Sequence, residues 1–125
     1  MVKDKRPVNL DLGSMRLPIT AWASITHRAT GVFLFAGIAV FLWALDASLA
    51  SPASFAALQV SLHHPLLKLV IWAVTAGLIY HSLAGVKHLI MDMGIGETMA
   101  GGIFGARIVI ALSFVLIVLA GIRIW

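Results

Sequence analysis

Six side chains in this sequence are of types, and at spacings, that can do chemistry: Ser24, His27, Arg28, His81, Lys87 and His88. His81 stands in an apolar run, eleven residues before Asp92. At about 1.5 Å per residue that is roughly 16 Å along a helix axis. A neutral imidazole so far from water needs a hydrogen bond, a metal or a cofactor iron. Ala84 and Gly85 follow at i+3 and i+4, where small residues let a flat group or another helix come close. His88 follows two turns on, roughly 10.5 Å away on the same face. That distance is comparable to the reach from a haem iron to its propionates, and it would bring an acidic edge to Lys87 and His88. Ser24, His27 and Arg28 share a face at i, i+3 and i+4. A hydroxyl and a guanidinium there suit a ligand with carbonyl oxygens such as a quinone, the arginine stabilising negative charge during reduction. His27 would serve a cofactor carboxylate or a proton path. The same residues also admit plainer roles: a histidine bonded to a neighbouring helix, basic residues snorkelling at helix ends, and a positive anchor with a capping serine.

The elements that must position these groups are set by the solvent. Of the 125 residues, 61% are hydrophobic and only 11% charged, against about 45–50% and about 25% in ordinary soluble domains. A chain this short cannot hide that much apolar surface from water, which excludes a soluble globular domain. Three apolar stretches each approach the roughly 20 residues that a bilayer core demands. The expected fold is therefore all-α and integral to the membrane, a single anchor domain over 1–125. It has an N-terminal cytoplasmic arm over 1–20 and spans at about 21–49, 65–92 and 103–125, joined by short polar connectors. Pro18 and Pro65 open the first two spans, Gly94 and Gly96 close the second, and Trp125 ends the third at headgroup level. Asp46 and Lys68 mark outer helix ends. Ser48-Leu49-Ala50 resembles a signal-peptide cleavage site, but the segment before the apolar run is too long for a usual n-region.

Charge gives the orientation. Lys3, Lys5, Arg6, Arg16, Arg28, Lys87 and Arg107 fall on the side of the N-terminus and the second connector; Lys68 and Arg123 fall on the other. Seven against two places the N-terminus in the cytoplasm and the C-terminus outside. The net charge of +4 comes from these flanking residues and not from a patch interleaved with aromatics, so no nucleic-acid partner is expected. With no cysteine, the chain holds no disulfide, thiolate zinc site or iron–sulfur cluster of its own. His63 and His64 precede Pro65 without a nearby carboxylate and read as exposed loop residues.

Two stretches also carry a family resemblance. Arg6-Pro7-Val8-Asn9-Leu10-Asp11-Leu12, followed by Ser24-Ile25-Thr26-His27-Arg28-Ala29-Thr30-Gly31, resembles a pattern of RP and then S-x-x-H-R-x-S/T-G. His81-Ser82-Leu83-Ala84-Gly85-Val86-Lys87-His88-Leu89-Ile90-Met91-Asp92 resembles H-x-x-x-G, a hydrophobic residue, then R-H-x-x-x-D. Both patterns belong to the cytochrome b556 membrane-anchor subunits of bacterial succinate dehydrogenase, and the three-span layout is similar across essentially the whole chain. The resemblance implies that His81 is an axial ligand of haem b and that Ser24 and Arg28 line a ubiquinone site. His27, Arg28, Lys87 and His88 would lie near the haem propionates. Lys87 stands where the family usually has arginine and lacks the planar fork. The implied partners are an iron–sulfur subunit, a flavoprotein subunit and a sister membrane anchor, in a bacterial inner membrane. The implied role is to pass electrons from succinate oxidation in the tricarboxylic acid cycle to ubiquinone, without succinate chemistry in this chain.

With one histidine near mid-membrane, the second haem ligand is expected from the sister anchor. Other readings stay open: an anchor of a quinol:fumarate reductase, an anchor without haem, or a small membrane transporter. The last would want a mid-span carboxylate, and Asp4, Asp11, Asp46, Asp92 and Glu97 supply none.

Overall fold

The computed structural model describes residues 15–125. The charges at Lys3, Lys5 and Arg6, the Arg6–Leu12 stretch and most of the expected arm lie outside the described residues. The described chain is all-helical, in the order α1 (Ile19–Ala50), α2 (Pro52–Leu62), α3 (Pro65–Asp92) and α4 (Met99–Ile124). Three of these helices, α1, α3 and α4, with 32, 28 and 26 residues, are long and apolar enough to cross a membrane. Their surfaces are covered with large apolar side chains, Val32 at 78% and Phe35 at 88% exposure, which only a lipid or protein neighbour can shield.

The first connector differs from its expected form. Between α1 and α3 lies a fourth helix of 11 residues, α2, in place of a short polar link. Ser51 caps it by accepting from the Ser54 amide at 3.0 Å, and Pro52 occupies the first turn, the position that lacks a partner for its missing N–H anyway. At about 1.5 Å per residue, roughly 16 Å in all, α2 cannot span a bilayer. Ser54 Oγ donates to the Ala47 carbonyl at 2.6 Å, tying α2 back to the end of α1.

The turn from α3 to α4 is fixed by backbone. Gly94 and Gly96 adopt φ of +84° and +77°, conformations that L side chains rarely take. The Ile95 amide reaches back to the Ile90 carbonyl at 3.3 Å and Gly94 to Met91 at 2.8 Å, closing α3. Thr98 then caps α4, which begins at Met99, ahead of the expected 103.

Helix α3 is central, packing on both α1 and α4. Glycines mark the close approaches. A Cβ at Gly37 would meet Val74 at 3.0 Å, one at Gly77 would meet Phe33 at 3.0 Å, and one at Gly121 would meet the Trp72 indole nitrogen at 3.1 Å. Small residues at such crossings are how membrane helices gain van der Waals contact where lipid removes the hydrophobic drive. Trp72 Nε1 donates to the Ile117 carbonyl at 3.0 Å, and Tyr80 Oη to that of Ala23 at 3.0 Å.

Candidate functional site

The candidate site lies where α1 crosses α3. Helix α1 presents Ala23, His27, Thr30 and Gly31 toward α3; α3 answers with Tyr80, His81, Gly85 and His88. The His27 and His81 rings stack with centroids 4.1 Å apart and planes within 16°. His88 leans on the other partner, its ring 5.2 Å from that of His27 and tilted by 46°. His27 therefore sits between the two α3 histidines and joins them into one cluster.

With His81 counted as the one histidine near mid-membrane, His27 is not expected at its level, yet the structure puts it there. Helix α1 starts at Ile19, so His27 lies eight residues, about 12 Å, into it. That is close to the roughly 16 Å separating His81 from the end of α3, and the two rings share one level.

Each histidine has a defined surrounding. His81 Nδ1 is 3.1 Å from the His27 carbonyl oxygen and 3.2 Å from Thr30 Oγ1. A carbonyl only accepts, so Nδ1 carries the proton and Nε2 keeps its lone pair. Among the described residues Nε2 has no hydrogen-bond partner. His27 Nε2 is buried and unpartnered there as well, over Gly85, where a Cβ would stand 3.6 Å away. Gly31 faces the His81 ring, its notional Cβ at 3.1 Å from Cε1.

The remaining candidates sit apart from this cluster. Ser24 is half-buried and Arg28 exposed. At about 100° per residue they lie at the edge of the buried face of α1, open to whatever adjoins it. Lys87 turns to the opposite side of α3. Its aliphatic stem lies where a Cβ at Gly105 of α4 would meet it at 3.3 Å, and it borders a groove of about 400 Å³ between α3 and α4, lined otherwise by apolar residues such as Leu83, Ile90, Phe104 and Ile108. That groove includes neither Ser24 nor Arg28. His63 and His64 are exposed, with His64 Nδ1 accepting from the Leu66 amide at 3.3 Å. Among the described residues no group of three His, Cys, Asp or Glu side chains is placed to hold a metal ion.

Sequence reasoning passed over Thr30 and Tyr80. Thr30 stands inside the S-x-x-H-R-x-S/T-G stretch, but its contact with His81 spans 51 residues and has no local signal. Tyr80, beside His81, reads as one more apolar residue until its hydroxyl is seen on Ala23.

The residues present fit one axial position of a metalloporphyrin. A ligating histidine characteristically donates its other ring N–H to a carbonyl, and His81 does so. They do not supply both axial positions. Two axial imidazoles stand end to end through the metal, whereas His27 and His81 lie side by side.

The family described as succinate dehydrogenase/fumarate reductase transmembrane subunit matches residues 2–120. A Coxiella burnetii protein named succinate dehydrogenase cytochrome b556 subunit is 41% identical over 122 residues, covering 97% of this chain and 98% of that protein. Its namesake in Paracoccus denitrificans is 36% identical over 117 residues, 94% of this chain and 90% of that protein. One from Rickettsia felis is 33% identical over 95 residues, 76% and 73% respectively.

Proposed function

Since this chain belongs to the succinate dehydrogenase/fumarate reductase transmembrane subunit family, we propose that it anchors a succinate:quinone oxidoreductase, holds one side of a haem b and forms part of the ubiquinone-reduction site. The observation that carries the reading is the state of His81: Nδ1–H is taken by a backbone carbonyl 3.1 Å away, leaving Nε2 for iron. Haem b, when bound, supplies a one-electron relay inside the membrane. His27 keeps the His81 ring from turning by stacking on it. His88, at the far side of His27, is the member of the cluster suited to a propionate.

Ser24 and Arg28 lie on the exposed edge of α1, where the iron–sulfur subunit and a sister anchor would complete a quinone pocket. Ser24 donates to one quinone oxygen, and Arg28 holds negative charge on it during reduction. Lys87 turns away from the histidine cluster into the groove with α4, so the propionate role falls to His88 and not to Lys87. The relatives' names favour the dehydrogenase over the fumarate-reductase reading. Electrons enter from the iron–sulfur and flavoprotein subunits, and the charge distribution supports an N-terminus in the cytoplasm of a bacterial inner membrane.

The test is His81→Leu in the assembled complex. Dithionite-reduced minus oxidised spectra are expected to lose the low-spin b-type signal, while succinate oxidation by a dye that accepts upstream continues. An unchanged low-spin spectrum would remove His81 from the iron.

A further inference from the structure

We propose that Thr30 is a positioning residue for His81, its hydroxyl oxygen serving as a second acceptor for the Nδ1 proton and thereby setting the electron donation of the imidazole. The inference rests on His81 being the iron ligand, as argued above. The geometry is closed at every atom. Thr30 Oγ1 lies 2.9 Å from the Thr26 carbonyl oxygen and 2.8 Å from that of His27. Those oxygens can only accept, so the single hydroxyl proton points to them, back along α1. The lone pairs of Oγ1 are then free on the other side, where His81 Nδ1 stands at 3.2 Å. Since that hydrogen is already committed, Thr30 accepts from His81 and does not donate to it.

The Nδ1 proton of His81 is thus shared between two oxygens of α1, the His27 carbonyl at 3.1 Å and Thr30 Oγ1 at 3.2 Å. Acceptors on the distal nitrogen make a metal-bound imidazole a stronger donor and fix its orientation. A stronger donor favours ferric over ferrous iron, so the haem potential falls. A threonine bonded back to the i−3 and i−4 carbonyls is common in helices and by itself implies nothing. What singles this one out is that its spare lone pair meets the nitrogen opposite the proposed metal-binding one.

The experiment compares Thr30→Val, Thr30→Ala and Thr30→Ser, with His81→Leu alongside, in the full complex. The readouts are the haem midpoint potential and the low-spin ferric electron paramagnetic resonance spectrum. Thr30→Val keeps the branched shape without the oxygen, Thr30→Ala removes bulk and so reports even if valine hinders assembly, and Thr30→Ser restores the acceptor. Loss of the acceptor is expected to weaken the ferric preference, and the change is tested against a threshold of about tenfold. For one electron that is a rise of about 59 mV. The serine variant is expected to stay at the wild-type potential with wild-type resonances. If His81→Leu removes the low-spin signal but valine and alanine leave potential and resonances unchanged, the role of Thr30 is overturned and that of His81 stands. A shift in serine as large as in valine, or a fall in potential, also overturns it, since packing would then be the cause. If His81→Leu keeps the low-spin signal, the ligand assignment itself fails and takes this inference with it.

Discussion

Gly31 governs how closely His81 can lie against α1. The ring is held there by its Nδ1–H bond, and a methyl group at Gly31 would stand 3.1 Å from Cε1, closer than most real contacts. The ring cannot withdraw without stretching that bond. Gly31→Ala is expected to lower haem occupancy and shift the low-spin resonances in assembled complexes, read against a protein-normalised haem assay; full occupancy with unaltered resonances would show that the crossing yields easily. At the proposed quinone edge, Arg28→Leu is expected to slow quinone reduction on the order of 10²-fold, the usual effect of deleting one charge-stabilising donor. Ser24→Ala is expected to act in the same direction, with upstream dye reduction intact in both. Normal quinone reductase rates in assembled variants would return both residues to anchoring. That His81 needs a partner is legible in the sequence, because an imidazole in apolar surroundings needs a reason, and the structure gives it one in the His27 carbonyl at 3.1 Å. The level at which His27 meets His81 is not: residue counts give distance along one helix at a time, and where α1 begins sets the level at which it meets α3.

Among elements, α3 is held to α1 by Gly37 and Gly77 and to α4 by Gly121 and Trp72. Val74 is β-branched and stiff, so it has little room to yield to a side chain at Gly37, where even a Cβ would lie 3.0 Å away. Gly37→Leu is expected to destabilise by about 1–3 kcal/mol, the usual scale of overpacking, seen as a lower thermal midpoint in detergent. Trp72→Phe, which removes the 3.0 Å bond to Ile117, is expected to cost less, about 0.6 kcal/mol as membrane hydrogen bonds average. Equal midpoints for wild type and Gly37→Leu would show that the α1–α3 contact is loose. The long helices were readable from hydropathy because the bilayer fixes their length. Helix α2 is not readable that way, since by polarity its segment reads as a connector, although Ser51 and Pro52 spell a helix start. The partners across each crossing, Gly37 with Val74 or Trp72 with Gly121, carry no sequence signal, since nothing local says which faces meet.

At the scale of the molecule, Lys68 lies over the Trp125 ring at 5.7 Å, so the start of α3 and the end of α4 share one end of the bundle. The start of α1, the end of α3 and the start of α4 share the other, where a Cβ at Gly102 would meet Thr20 at 3.5 Å. The larger basic share at that second end makes it the expected cytoplasmic one. A reporter fused after Trp125 should be active outside and one near Gly94 inside; the reverse would invert the orientation. His27 and His81 stack side by side and so cannot hold one haem from both of its faces; the chain expressed without a sister anchor is therefore expected to show little low-spin b-type haem, and co-expression to restore it. A stable bis-histidine haem in the isolated chain would contradict this.

The proton on His81 Nδ1 belongs to one helix and its acceptors to another, so, with His81 as the proposed iron ligand, the colour of a bound haem would double as a gauge of how α1 rests on α3. A detergent or truncated lipid that lets these two helices part by a fraction of an ångström should alter the visible spectrum while helical circular dichroism is still complete, and the order of those two losses on warming would tell whether the crossing or the helices fail first.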